Sequence, residues 1–291
     1  MNYRVSHTTT YKYPDPVTVS HHVARLQPRP TPTQRTCEFA LRVSPEPAVR
    51  TMHTDYFGNH VCFFSIEQIH QELEVTATST VEVVPAPFPA LEASPPWETV
   101  AAMFRDPVSP AVADAYQFAF NSPLLQARPA YADYARESFP AHTPLLIGVR
   151  DLTARIHRDF TFDASATTVS TPLEEAFEKR HGVCQDFAHL AIASLRSLGL
   201  AARYVSGYLR TDPPAGQPRL LGTDFSHAWF SVLCPNLGFV DFDPTNDLMP
   251  SDRHVTVAIG RDFSEISPLA GIVTGGGDHE LKVAVTVEAL E

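Results

Sequence analysis

From Tyr3 to Val84 the chain alternates apolar and polar residues with the period of two that a β-strand requires. Tyr3, Val5, His7, Thr9 and Tyr11 fall on one face of a first strand. A second run, 17–26, stops at the turn-rich Pro28-Arg29-Pro30-Thr31-Pro32. Shorter strands are predicted over 37–43, 48–53 and 61–66, with Phe57-Gly58-Asn59 turning a hairpin between the last two. A long strand rich in Val and Thr follows over 71–84. A segment patterned this way gains nothing by coiling into helices, so residues 1–86 are predicted to form an antiparallel β-domain.

Pro85-Ala86-Pro87-Phe88-Pro89 and Ser94-Pro95-Pro96 end the alternation. Proline fixes φ and lacks the N–H that a sheet ladder needs, so 87–96 reads as a linker. Helical spacing follows over 97–104, 110–120, 130–139 and 144–160. Thr143 is expected to cap the last of these, with Pro144 in its first turn. Thr171-Pro172-Leu173-Glu174 has the form of a capping box and opens a short helix reaching 178. Gly182 interrupts that helix. The next begins at Cys184, is apolar on nearly every face, and stops at Gly199. Strands return over 202–209, 225–233, 239–242 and 255–259, and 97–274 is predicted as a core of helices on a sheet. The loop 211–222, rich in Pro and Gly, is expected to border a cleft. After Gly275-Gly276-Gly277 a last strand, 280–288, is expected to return to the N-terminal sheet, making 275–291 a separate C-terminal segment. The fold class is α+β.

Composition narrows the functional classes. The net charge is −11 and no basic block interrupts the 291 residues, which argues against a nucleic-acid partner. No apolar run reaches the ~18–20 residues that span a bilayer, so no membrane partner is expected. Met1-Asn2-Tyr3-Arg4-Val5-Ser6-His7 lacks the apolar core of a secretory signal, and a cytoplasmic location is expected. Four cysteines occur without a C-x-x-C pair and read as reduced thiols, although Cys37 and Cys62 both fall in strands that could be neighbours.

Cys184 stands where a polar, Gly-containing loop gives way to an apolar helix, in Arg180-His181-Gly182-Val183-Cys184-Gln185-Asp186-Phe187. A free thiol has a pKa of about 8.5, so little thiolate exists at neutral pH. Unpaired N–H groups at a helix start, and a nearby imidazolium, both favour the thiolate. Among thirteen histidines, His227 is the strongest base, because it lies on a strand beside Trp229 and Phe230 and is held rigidly. Leu237-Gly238 suggests a hairpin that sets a carboxylate on the adjoining strand. Asp241 and Asp243 share a face of that strand, and spacing alone does not choose between them. His181, Cys184 and His189 do not make up a zinc ligand set, so no metal is expected, and no cofactor. Asp186 reads as structural in the first helical turn, and His21-His22 as a strand surface.

At these motifs the chain resembles the transglutaminase-like superfamily, in its bacterial branch with an N-terminal β-region. Residues 180–189 resemble the family's nucleophile segment, Ser226-His227-Ala228-Trp229 its histidine motif, and Phe242-Asp243-Pro244-Thr245-Asn246 its aspartate motif. The resemblance extends to Arg25-Leu26-Gln27-Pro28-Arg29, Asp55-Tyr56-Phe57-Gly58-Asn59 and the tail from Gly275 to Leu281, and so covers nearly the whole chain. Phe239 departs from it, standing where relatives often carry Trp. The resemblance implies a papain-like core, in which a helix bearing Cys packs on an antiparallel sheet bearing His and Asp. It selects Asp243 over Asp241 and implies a catalytic triad of Cys184, His227 and Asp243. Gln185, Tyr204 and Trp229 are candidates for a second oxyanion donor or the cleft wall. The implied activity is cysteine-dependent acyl transfer on a peptide or protein amide through a thioester, most simply hydrolysis by a peptidase or amidase. The alternatives are transfer to an amine, as in a protein-glutamine transglutaminase, and a non-catalytic peptide-binding module.

Overall fold

In a computed structural model, residues 1–105, 110–169, 171–211 and 225–290 are described; the predicted cleft loop falls almost wholly outside them. The chain is α+β. Its first sheet has seven strands built around β1 (Asn2–Ala24), which is one strand of 23 residues where the sequence suggested two. Tyr3, Val5, His7 and Thr9 are buried along its first half, and Ser20, His22 and Ala24 along its second. The inward parity therefore changes from odd to even. Tyr13 and Val17 still point inward, so the change falls between Val17 and Ser20, where the pairing with Leu269–Gly275 shifts register between Val17 and Val19. The first half pairs with β5 (His70–Val83), the second with β4 (His60–Ile66), and β3 (Val49–Thr54) and β2 (Gln34–Ser44) complete one side in the order β2-β5-β1-β4-β3. Two strands lie between Cys37 on β2 and Cys62 on β4. Cys37 is exposed, Cys62 is buried, and both are free.

The helical layer comprises α1 (Trp97–Met103), α2 (Pro110–Tyr116), α3 (Pro129–Arg136) and α4 (Leu145–Asp159). Pro144, and not Thr143, is the N-cap of α4, because the carbonyl of Pro95 accepts the Leu145 N–H and fixes the entry. A short β6 (Thr161–Phe162) precedes α5 (Leu173–Lys179). Thr171 does not cap α5; its hydroxyl oxygen accepts the Thr168 N–H, closing the preceding turn. Then come β7 (His181–Gly182), α6 (Cys184–Ser197), β8 (Ala202–Leu209), β9 (Phe225–Cys234), β10 (Gly238–Phe242), β11 (His254–Gly260) and α7 (Phe263–Ile266). The second sheet is antiparallel in the order β10-β9-β8-β11. Gly199, with φ +82°, ends the α6 segment in the left-handed region that glycine occupies without strain.

The last two strands, β12 (Leu269–Gly275) and β13 (Glu280–Leu290), run antiparallel to β1. Residues 269–274, assigned by sequence to the second region, thus belong to the first sheet. Gly275, Gly276 and Gly277 all have positive φ and form the turn between these strands. One buried cluster joins Tyr3, Val5, Val81 and Val287 to Leu190, Tyr204 and Phe230, so the first sheet, α6 and the second sheet share a core. No described helix is long and apolar enough to cross a membrane.

Edge strand β11 is held from the first region by two amide side chains. Gln34 Oε1 accepts from Thr256 N at 2.8 Å, and its Nε2 donates to Thr256 O at 2.7 Å. Asn59 does the same at Ile259, at 2.9 and 2.8 Å, and Asn59 is wholly buried. Its Oδ1 also accepts from Arg29 at 2.8 Å. Removing it orphans several buried groups, so Asn59→Ala is expected to cost about 3 kcal/mol with an unchanged slope in urea denaturation. A loss below about 1 kcal/mol would contradict this account of the seam.

Candidate active site

Gly182 and Val183 lead into α6 from the parallel pair β6–β7. Val183 is extended and serves as N-cap, so Cys184 is the first helical residue. Asp186 Oδ2 accepts from the Val183 N–H at 2.9 Å and from the Thr167 hydroxyl at 2.6 Å, bracing the approach to the helix. Burial raises the Asp186 pKa, and these two bonds oppose the rise. A Cβ at Gly182 would come within 2.7 Å of Asp186 Oδ2, so glycine is what allows the carboxylate to fold back. The half-buried thiol then sits beside the unpaired N–H groups of the first turn.

His227, Trp229 and Ser231 share one face of β9, while Ala228 and Phe230 lie in the core shared with α6. Strands β9 and β10 pair with Phe242 opposite Phe230, and Asp243 follows directly. His227 Nε2 and Asp243 Oδ2 are 2.7 Å apart, with His227 only 7% exposed and Asp243 fully buried. The Cys184 thiol lies within hydrogen-bonding reach of the His227 ring, and Nδ1 is the nitrogen left to meet it. Burial by itself would lower the His227 pKa. Hydrogen bonds to Asp243 and Cys184, and then their charges, overcome burial and push it up to about 10. Burial opposes ionisation of Asp243 too, but bonds from His227, His254 and Asn246 and the His227 charge hold its carboxyl well below the usual range. Its Oδ1 accepts the Thr245 and Asn246 N–H groups at 3.0 and 3.2 Å, and Oδ2 accepts Asn246 Nδ2 at 2.7 Å. Cys184, His227 and Asp243 therefore form one connected set. A proton can be held on the ring between a sulfur and a carboxylate.

The other predicted residues are more dispersed. Gln185 is half-buried in the first turn of α6, next to the thiol. Tyr204 is buried, its ring centroid 4.9 Å from that of His189, and burial followed by the Cys184 charge raises its pKa well above the usual value. Trp229 is fully buried on the other face of the second sheet, packed with Val205 and Ile259. Its ring centroid is 6.0 Å from that of His227, so it forms a wall behind the histidine. Asp241 accepts from the Ser231 hydroxyl. His181 bonds the Lys179 carbonyl, and His189 accepts from Phe263 N at 3.2 Å, so each is engaged separately.

Sequence reasoning missed Asn246 and His254. Asn246 stands in the turn after Asp243-Pro244-Thr245, where a side-chain amide three residues on can reach back to the aspartate. His254 has no such local signal. It brings its Nε2 to 3.2 Å from Asp243 Oδ2, so three ligand-type atoms of His227, Asp243 and His254 lie within 4.8 Å of one another. Their contacts with Oδ2, at 2.7 and 3.2 Å, are hydrogen-bond lengths. A cavity of about 440 Å³ lies behind this group, and Trp229, Arg203, Asp241 and His254 contribute to its wall.

Residues 3–82 match the bacterial transglutaminase-like N-terminal region, and residues 132–244 match the transglutaminase-like superfamily. An uncharacterized protein of Mycobacterium tuberculosis is 40% identical over 301 residues, covering 99% of this chain and 93% of its own length. A protein-glutamine gamma-glutamyltransferase of Pseudomonas aeruginosa is 31% identical over 107 residues, which is 34% of this chain and 16% of that one. The solved structure of a candidate cysteine protease from Cytophaga hutchinsonii superposes with a TM-score of 0.74 at 20% identity, covering 100% of this chain and 92% of that one. That likeness concerns the fold. Matched over nearly its whole length by such a relative, and by both family descriptions, the chain belongs to the transglutaminase-like superfamily, with the N-terminal region of the bacterial branch.

Proposed function

We propose that this protein is a cysteine-dependent acyl-transfer enzyme that hydrolyses peptide or protein amides. The reading rests on one observation: a thiol at a helix N-terminus meets an imidazole whose other nitrogen is 2.7 Å from a buried carboxylate. In this reading the Cys184 sulfur attacks the amide carbonyl, and the C–O π pair moves onto oxygen. The Cys184 backbone N–H binds that oxyanion, with Gln185 or Tyr204 as the candidate second donor. His227 passes its proton to the amine nitrogen as the C–N bond breaks, leaving a thioester. Water, deprotonated by the neutral His227, then attacks the thioester carbonyl. Thiolate leaves, the acid is released, and His227 is protonated again. Asp243 keeps the ring oriented and stabilises the imidazolium throughout.

Hydrolysis is favoured because the cysteine-protease candidate shares the fold over the entire chain. Transfer to an amine has support from the Pseudomonas glutamyltransferase, whose likeness covers 34% of this chain. Glutamine-containing peptides offered in H₂¹⁸O with a labelled primary amine separate the two. Expected are products carrying ¹⁸O in a new carboxyl group, without amine adducts, and none with Cys184→Ala. Amine adducts without ¹⁸O would establish transamidation instead. Peptide binding with neither product would leave a binding module.

A further inference from the structure

Strands β10 and β11 are the opposite edges of the second sheet, yet the chain passes between them in one crossover, residues 243–253. Asp243 opens that crossover and His254 follows it. Of the donors on the Asp243 carboxylate, Thr245 N, Asn246 N and Asn246 Nδ2 belong to its own turn, and His227 is the group it serves. His254 Nε2 is the remaining one among the described residues, and it comes from the far edge strand, 3.2 Å from Oδ2. That strand is itself anchored by Gln34 and Asn59.

Resting on the triad reading above, we propose that His254 is a positioning residue that closes the crossover and holds the Asp243 carboxylate against His227.

Its state follows from its surroundings. The ring is 6% exposed, its centroid is 5.2 Å from that of Trp229 in an edge-on arrangement, and its Nδ1 is buried with no partner among the described residues. A proton on that unpartnered nitrogen would be a buried, unsatisfied charged donor, whereas a bare lone pair there costs far less. His254 is therefore the neutral tautomer with hydrogen on Nε2, donating to Asp243. The ionisable groups acting on Asp243 are His227 from β9 and His254 from β11, and those acting on His227 are Asp243 and Cys184. With His254 neutral, the single negative charge of Asp243 stays directed at one imidazolium, that of His227. Without the His254 donor, Oδ2 is fastened only by its own turn and by His227. The carboxylate can then rotate away, and the imidazolium loses support.

The test follows the His227 ring by ¹⁵N NMR as a function of pH in the wild type, His254→Phe and His254→Gln. Phenylalanine keeps a ring and removes the donor, while Gln places an amide N–H near the position of Nε2. His254→Phe is expected to bring the His227 titration down by about one pH unit, the size of one hydrogen bond to a charged group. His254→Gln is expected to restore most of the shift. Should His254→Phe not fold, His254→Ala gives the same donor loss, its vacated volume opening into the adjoining cavity. An unmoved or raised titration in the donor-less variant overturns the proposal, as does a Gln variant as perturbed as Phe. A His227 titration that does not move when Asp243→Asn removes the carboxylate charge would instead remove the triad reading itself.

Discussion

Cys184→Ala is expected to lower turnover by about 10⁶-fold while leaving the fold in place. The size follows from the chemistry. Without sulfur no thioester forms, and His227 and Asp243 have no nucleophile to activate. Residual rate comes only from the helix N-terminus and from whatever binds the amide, and groups acting as a unit lose nearly everything when one is removed. The fold should survive because the change deletes one half-buried sulfur at the margin of the core. The bond from the Val183 N–H to Asp186, which starts α6, does not involve the thiol. Steady-state hydrolysis and thermal melting check the two halves together. A variant with intact structure and wild-type turnover would remove Cys184 from the reaction, and one that unfolds would show that the residue is mainly structural.

The second large effect is at Asp243. Asp243→Asn is expected to reduce kcat by on the order of 10⁴, because the amide has no charge to offer the imidazolium and can turn its NH₂ toward Nε2, which imposes the wrong tautomer. The pH profile should move as well. His227 stands at about 10 against an ordinary 6.5, a raised value. The stabilisation of the folded state from its paired, protonated form is thus complete below about 6.5 and is lost as pH rises through about 10. In the proposed reaction the same proton must be on the ring for the leaving amine to take it, so the alkaline limb of kcat/KM is expected near pH 10 in the wild type. Removing the Asp243 charge should carry that limb down toward the ordinary histidine range. The measurement is kcat/KM from pH 5 upward for both proteins, and an unmoved limb with wild-type kcat would deny Asp243 any part in holding the proton.

Much of this architecture can be read from local pattern. Alternation over 71–84 marks a strand that exists as β5, and the strand expected over 202–209 exists as β8. Leu237-Gly238 between two apolar runs signals the hairpin that places His227 and Asp243 on adjoining strands, and their side chains are 2.7 Å apart. The failures arise where distant contacts decide. Proline at 14 and 16 suggests a break, but β1 continues because β5 and β13 pair with its first half and β4 and β12 with its second. Thr171 has a capping pattern, but its hydroxyl serves a closer N–H, that of Thr168. The segment Leu269–Gly275 is too short and too weakly alternating to announce a strand, and it becomes one because β1 offers it an open edge. His254 is the clearest case. Its neighbours Arg253 and Val255 reveal nothing, and its contact with Asp243 exists only because a crossover spans the end of a sheet whose strand order is not sequential.

The central claim is that folding has set Cys184, alone among the four cysteines, beside a protonated imidazole and a helix N-terminus. Iodoacetamide labelling at pH 6, read by peptide mass spectrometry, tests it without any knowledge of the substrate. Cys184 is expected to be modified at least about 100 times faster than Cys37, which is more exposed, with Cys62 and Cys234 slower still in the core. That preference should disappear in His227→Ala. Labelling that simply follows exposure, with Cys37 first, would contradict the account.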